Sequence, residues 1–390
     1  MSEYTTNERR ILVLAGAGHF VAHFAELMYP TLAVSLAADT GIPLAQVLGW
    51  STVGYLLFGV GALPAGYLAD RIGSRWIVLT SLAGTGTAAI AAGMSTPGPM
   101  LAAALAALGL AASLYHPAGM SLISRGVRAR GRALGLNGIA GNAGIALTPV
   151  CTAALIGFAG WRGAYIACGA TILLITALLA LRPIDEPRGD QPDAAPAAPD
   201  PYRLPRFALL CLAAMLAGIS YRANTVAQPA FFAERVTLVG YGSATTLAYL
   251  AGMVGQYVGG RLADRYPLRY LYLGTHLASI PSLLIMAHLT ELPLLLTAGT
   301  FVFFSLGMQP IENSLFAQLT PPRLRGTGYG MKFVVTFGVG ALGVQLVRAA
   351  ETSGDLSRTF PWVAIVVAMA ALTVGLFIAV PTLLSSSRRS

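Results

Sequence analysis

Gly66-Tyr-Leu-Ala-Asp70-Arg71-Ile-Gly-Ser-Arg75 returns 194 residues later as Gly260-Arg-Leu-Ala-Asp264-Arg265-Tyr-Pro-Leu-Arg269. An offset so close to half of a 390-residue chain points to an internal duplication. A second pair agrees with it. His116-Pro117 with Ser121 and then Gly131-x3-Gly135 is mirrored by Gln309-Pro310 with Ser314 and then Gly326-x3-Gly330. Each copy of the ten-residue stretch is a short charged connection between long apolar runs, so the duplicated unit is itself a set of such runs.

The rest of the chain has the same character. It is 55% hydrophobic and 11% charged, with mean hydropathy +0.67, whereas soluble domains run near 25% charged. Runs of about 20 residues with almost no charge are long enough to cross a bilayer, and they exclude a soluble enzyme. Spans are predicted at 11–36, 45–69, 76–95, 99–124, 133–158 and 161–182, then at 206–230, 241–263, 270–290, 293–319, 327–350 and 359–384. The expected fold is all-α and integral to the membrane: twelve transmembrane helices in two pseudo-symmetric six-helix bundles, 1–182 and 206–390. Between them, residues 183–205 hold seven prolines and five acidic residues, a composition for a linker. The first run is longer than a signal-peptide core and is read as a retained helix.

The net charge of +9 does not indicate nucleic acid, because the basic residues sit in the connections. Twenty arginines or lysines fall on one side of the predicted topology and four on the other. By the positive-inside rule both termini and the linker face the cytoplasm, as in a multi-pass protein of a bacterial-type inner membrane. Cys151, Cys168 and Cys211 lie within apolar runs without CxxC spacing and imply neither disulfides nor a zinc knuckle.

The repeated Gly-x-Leu-Ala-Asp-Arg loop resembles the signature loop of the major facilitator superfamily. That resemblance implies secondary transport by alternating access, with Gly66, Asp70, Arg71, Arg75, Gly260, Asp264, Arg265 and Arg269 as a conformational latch. Pro267 replaces the second glycine of the loop in the later copy. In the fifth span, Gly135, Gly144 and Pro149 are similar to the glycine-proline motif of antiporter members, although Thr148 stands where glycine is usual. Gly18-His19-Phe-Val-Ala-His23-Phe-Ala-Glu26-Leu-Met-Tyr29-Pro30, together with Tyr115-His116-Pro117 and Gly141-Asn142-Ala143-Gly144, resembles the fosmidomycin-resistance type of exporter. This implies a proton-driven exporter of small molecules working as a monomer.

Ionisable residues within spans are costly and are functional suspects by default. His19, His23 and Glu26 fall at i, i+4 and i+7 on one helical face, close to Tyr29. Three readings remain open: a proton relay, a metal or metal-chelate site, and a structural polar seam. Glu26 and Glu312 are the carboxylates well inside spans and are the expected proton carriers, with His19 and His23 beside them. Arg222 and Lys332 are the cations within spans taken as functional suspects, Lys332 being the sole lysine. A guanidinium suits a carboxylate, phosphate or phosphonate, so an anionic or zwitterionic cargo is expected. His23, Tyr29, His116, Asn142, Arg222, Gln228, Gln309, Asn313 and Lys332 are the candidate substrate contacts. A structural Glu312–Lys332 salt bridge is the competing reading for that pair. His276 and His288 are expected to be peripheral.

Gly338-Val-Gly340-Ala-Leu-Gly343 matches a dinucleotide-binding pattern, but it follows no strand and reads as close-packing glycine. No Walker loop is present, so the proton gradient rather than ATP is the expected energy source, with no cofactor. Proton-coupled uptake of a metabolite or metal chelate is the alternative to export, and a non-transporting sensor the remote one.

Overall fold

A helix satisfies every backbone donor and acceptor within its own segment, and hydrocarbon supplies no other partner for them. The computed structural model describes residues 4–186, 202–320 and 325–386, and every regular element among them is helical. In chain order these are α1 Thr6–Thr40, α2 Leu44–Gly49, α3 Thr52–Val60, α4 Ala62–Ile72, α5 Ser74–Met94, α6 Pro99–Ser113, α7 Tyr115–Gly126 and α8 Arg130–Ala180. They continue as α9 Arg203–Arg235, α10 Tyr241–Ala263, α11 Leu268–Met286, α12 Glu291–Leu319, α13 Arg325–Phe333, α14 Leu342–Thr352 and α15 Thr359–Ser386.

Among the described residues, eight helical stretches are long and apolar enough to cross a membrane, or nine if the pair Leu44–Val60 and Ala62–Ile72, bent by 45°, is one span. The expected count of twelve is not confirmed by this measure. The 51-residue α8 is counted once, yet Gly160 interrupts it at φ 64°, ψ 178°, between the predicted spans 133–158 and 161–182. Helices α10 and α11 stand where spans were predicted, but their polar and charged residues leave them off the apolar set.

The chain divides into two compact units, residues 1–192 with 241–246 and residues 193–240 with 247–390. The sequence places the boundary in the linker, most of which lies outside the described residues. In the first unit α1 packs mainly on α8, and α5 on α6 and α8. In the second, α9 packs on α14 and α15, and α11 on α12 and α15. The duplication is visible inside each unit. A Cβ on Gly66 would meet Pro117 at 3.7 Å, and one on Gly260 would meet Pro310 at 3.9 Å, the same helix approach in both copies.

The first copy of the charged loop is built around a turn. Gly73 has φ +104°, a conformation that costs an L-residue strain, and it ends α4 and opens α5. The Glu186 carboxylate accepts from the backbone N–H groups of Ser74 (2.9 Å) and Arg75 (3.0 Å), where the α5 dipole favours negative charge. Arg125 joins Glu186 at 3.0 Å and Asp70 at 3.1 Å. Asp70 therefore pairs with an arginine 55 residues away. Arg71 instead lies over Tyr67, and Arg75 over Trp76 while it donates to the carbonyls of Ala180 and Arg182. In the second copy Arg261 and Arg269 likewise stack on Tyr257 and Tyr270, and Asp264 and Arg265 are exposed.

Gly73→Ala is expected to lower stability by about 1–2 kcal/mol through its left-handed turn, while Gly274→Ala, within α11 with open space around it, leaves stability unchanged or slightly raised. Thermal unfolding of the two purified variants in detergent checks the contrast.

Candidate functional sites

In the first unit, α1 and α7 bring three imidazoles together. His19 and His23 lie one turn apart on α1 with tilted rings whose centroids are 5.1 Å apart, and His116 closes a triangle at 5.3 and 5.1 Å from them. One ligand-capable atom from each of the three lies within 4.8 Å of the others. His116 can enter because the helix breaks between α6 and α7: Pro117 has no N–H for the carbonyl of Ser113, one turn earlier. Tyr115, beside it, is wedged between two glycines. A Cβ on Gly18 or Gly119 would lie 2.6 or 2.5 Å from its ring.

The remaining contacts hold His19 and His23 in place. His19 Nδ1 is 2.8 Å from the Asn137 carbonyl oxygen, an acceptor, so Nδ1 carries the proton and Nε2 keeps its lone pair. The His19 ring lies on Gly141, where a Cβ would stand 2.6 Å from Nε2. Tyr115 stacks on His19 at 5.2 Å and donates its hydroxyl to Asn137 Oδ1 at 2.8 Å. His23 Nδ1 is 3.7 Å from Glu26 Oε2, and both residues are buried. Glu26 also borders a small cavity with Tyr29, Ser51 and Tyr55.

The second unit carries a different polar site. Lys332 Nζ is 2.9 Å from Glu312 Oε1, with both side chains buried, and the Tyr272 hydroxyl donates to Glu312 Oε2 at 2.7 Å. Lys332 also donates to Asn313 Oδ1 and sits over the Phe316 ring at 5.8 Å. His276 packs against Tyr272 at 4.8 Å and is itself buried. The cation comes from α13, immediately before a π-helical turn, Val334–Gly338, and a 3-10 turn, Val339–Ala341. Within and just after these turns the glycine-rich stretch does what its context implied. Gly340 lies on Gly218, and a Cβ on Gly343 would be 2.5 Å from the Ile219 carbonyl. Arg222 is thereby held in a closely packed helix pair, 1% exposed, with its guanidinium 5.8 Å from the Tyr221 ring centroid.

The model of the Major Facilitator Superfamily matches residues 15–344, a stretch that includes both polar sites. The chain belongs to this superfamily. A methylenomycin A resistance protein of Bacillus subtilis is 34% identical over 143 residues, covering 36% of this chain and 29% of that protein. This match therefore spans less than a third of that relative's length. A putative metabolite transport protein of Haemophilus influenzae is 24% identical over 92% of each chain. Among solved structures, an inward-facing, unoccupied bacterial homologue of the human lysosomal transporter Spinster shares the fold at TM-score 0.80 and 16% identity, covering 98% of both chains. A peptide transporter in complex with sulfate follows at 0.74 and 14%, covering 96% of this chain and 94% of that one. The chain is a multi-pass membrane transporter of this superfamily.

Within the superfamily fold, the predicted residues fall into distinct settings. His19, His23, His116 and Glu26 converge, as do Glu312, Lys332 and Asn313. Tyr29 donates to the Val47 carbonyl at 2.6 Å, a helix-to-helix bond. Gln309 accepts from Gln256 at 3.2 Å, Gln228 is fully buried and Asn142 is half-buried. Gly144 lies against the Phe20 carbonyl, whereas Gly135 faces open space and Pro149 is buried. His276 joins the buried network and His288 is exposed. The sequence offers Asn137 only as a possible hydrogen-bonding group and gives no site role to Tyr115, Tyr272, Arg125 or Glu186. Tyr115 adjoins a candidate histidine and had a local signal, but Tyr272 is 40 residues from Glu312 and had none.

Removing one member of the buried ion pair strands a charge, whereas removing both does not. Lys332→Met is expected to cost about 3 kcal/mol of stability, and Lys332→Met with Glu312→Gln to recover most of that loss. A double-mutant cycle by thermal unfolding measures the coupling.

Proposed function

We propose that this protein is a proton-coupled exporter of a small anionic or zwitterionic compound, working by alternating access at the cytoplasmic membrane with both termini inside. The observation that carries the reading is the buried Glu312–Lys332 pair with Tyr272 on the same carboxylate. Protonation of Glu312 cancels its attraction for Lys332 and frees the ammonium for an anionic cargo. Return of cargo-free Lys332 to the carboxylate favours proton release. Proton and anion thus favour each other's binding at one pair of groups, which couples cargo to the proton and by itself suits co-transport, so the direction of export rests on the observations that follow. Arg222 offers a second, always-charged fork for a carboxylate or phosphonate. Glu26 is the further candidate carrier.

Export is supported by the resistance protein among the relatives and by the antiporter-like motif and exporter subgroup that the sequence resembles. Uptake is the second reading, supported by the full-length likeness to a putative metabolite transport protein. Higher cargo retention in cells lacking the protein marks export, and failure to acquire cargo marks uptake.

In proteoliposomes loaded with a pH dye, a cargo from a panel of anionic metabolites and phosphonates is expected to elicit proton flux. Glu312→Gln abolishes that flux while cargo exchange at equal pH persists. Undiminished proton flux in Glu312→Gln and in Glu26→Gln alike refutes the coupling. Arg222→Gln is expected to raise the half-saturating cargo concentration about tenfold or more, as loss of a charge-assisted contact predicts.

A further inference from the structure

We propose that His19, His23 and His116 form a binding site for a divalent transition-metal ion of the zinc, cobalt or nickel class. The proposal does not rest on the Glu312–Lys332 pair that carries the transport reading, and it shares with that reading only Glu26.

Three features of the cluster point to a metal. The first is convergence. Three atoms no more than 4.8 Å apart fit within a circle of radius about 2.8 Å, so a point exists within that distance of all three. Metal–imidazole bonds of about 2.0–2.1 Å then require each ring to move inward by roughly 0.7 Å, within the reach of small side-chain rotations. Two of the rings come from one helix at i and i+4 and the third from a second helix, a tripod that leaves a fourth position open.

The second feature is tautomer control. An imidazole that binds a metal commonly gives its other N–H to a carbonyl or carboxylate, which orients the ring. His19 Nδ1 faces the Asn137 carbonyl at 2.8 Å, and His23 Nδ1 faces the Glu26 carboxylate at 3.7 Å. The bond at His19 leaves its Nε2 for the ion, while at His23 the Glu26 carboxylate stands beside Nδ1 outside hydrogen-bond distance. Further supports fix these partners: Gly141 is the only kind of residue that fits beneath His19, and the Tyr115 hydroxyl bonds Asn137. The tyrosine is clamped in turn by Gly18 and Gly119.

The third is charge. An ion of charge +2 in an apolar bundle needs a nearby negative group, and Glu26, buried beside His23, supplies one. An all-nitrogen set of three imidazoles suits zinc, cobalt and nickel better than calcium or magnesium, which take oxygen ligands.

The test uses the full chain without a histidine tag, because the sequence holds only five histidines and three are in this cluster. Protein in nanodiscs, with no proton gradient, is titrated with Co2+ alone. One equivalent is expected to bind and to give the visible bands of a low-coordinate ion. His116→Asn is expected to weaken binding by about 100-fold or more, and Glu26→Gln by about 10-fold as an outer partner of His23. X-ray absorption of zinc-loaded wild type supplies a measurement that needs no variant, and three imidazole scatterers are expected. No binding by folded wild type, binding unchanged in His116→Asn, or fewer than three imidazoles overturns the site. Because no gradient is used, these outcomes leave the proton-coupling reading untouched, and loss of flux in Glu312→Gln leaves the metal site untouched.

Discussion

Hydrocarbon offers a polar group no water, so each ionisable side chain buried in these apolar helices must be answered by another part of the protein. That constraint shapes both units. Glu312 meets Lys332 on one oxygen and Tyr272 on the other. His19 meets a backbone carbonyl, and His23 a carboxylate. Lys332 stands just before an irregular turn, and the His19 ring lies on a glycine.

The departures are local and have identifiable causes. Pro117 interrupts the hydrogen-bond ladder and lets Tyr115 and His116 turn into the bundle. Gly18, Gly119 and Gly141 provide the room for those rings. In the second unit a π turn and a 3-10 turn follow Lys332, and glycines in and just after them let α9 approach to backbone contact. Irregular turns of this kind are frequent at functional positions because they re-aim side chains without breaking the helix.

Charge at the ends of the helices is handled differently. Arg125, Asp70 and Glu186 gather where α4 hands over to α5, and Glu8 binds the backbone and side chain of Arg128 close by. Exposed pairs such as Asp70 with Arg125 contribute little on their own. Glu186 contributes more, because it also accepts from two backbone N–H groups at the start of α5, where first-turn N–H groups have no intrahelical acceptor. The loop that marks the superfamily is therefore held by residues 51 to 112 positions away from it.

Much of this protein was determined by local sequence alone. Uncharged runs dictate helices because no other spanning structure fits their length. The offset of 194 between the two charged loops revealed the duplication, and the i, i+4, i+7 spacing put His19, His23 and Glu26 on one face. Periodicity carries that information because it is a property of a single helix. Which helices meet is not such a property. Only the tertiary structure decided that His116 completes the imidazole triangle, that Tyr272 reaches Glu312, that Arg125 rather than Arg71 pairs with Asp70, and that Arg222 is enclosed. Those contacts join residues 40 to 121 positions apart, and the glycine-lined approaches among them exist only once both helices are in place.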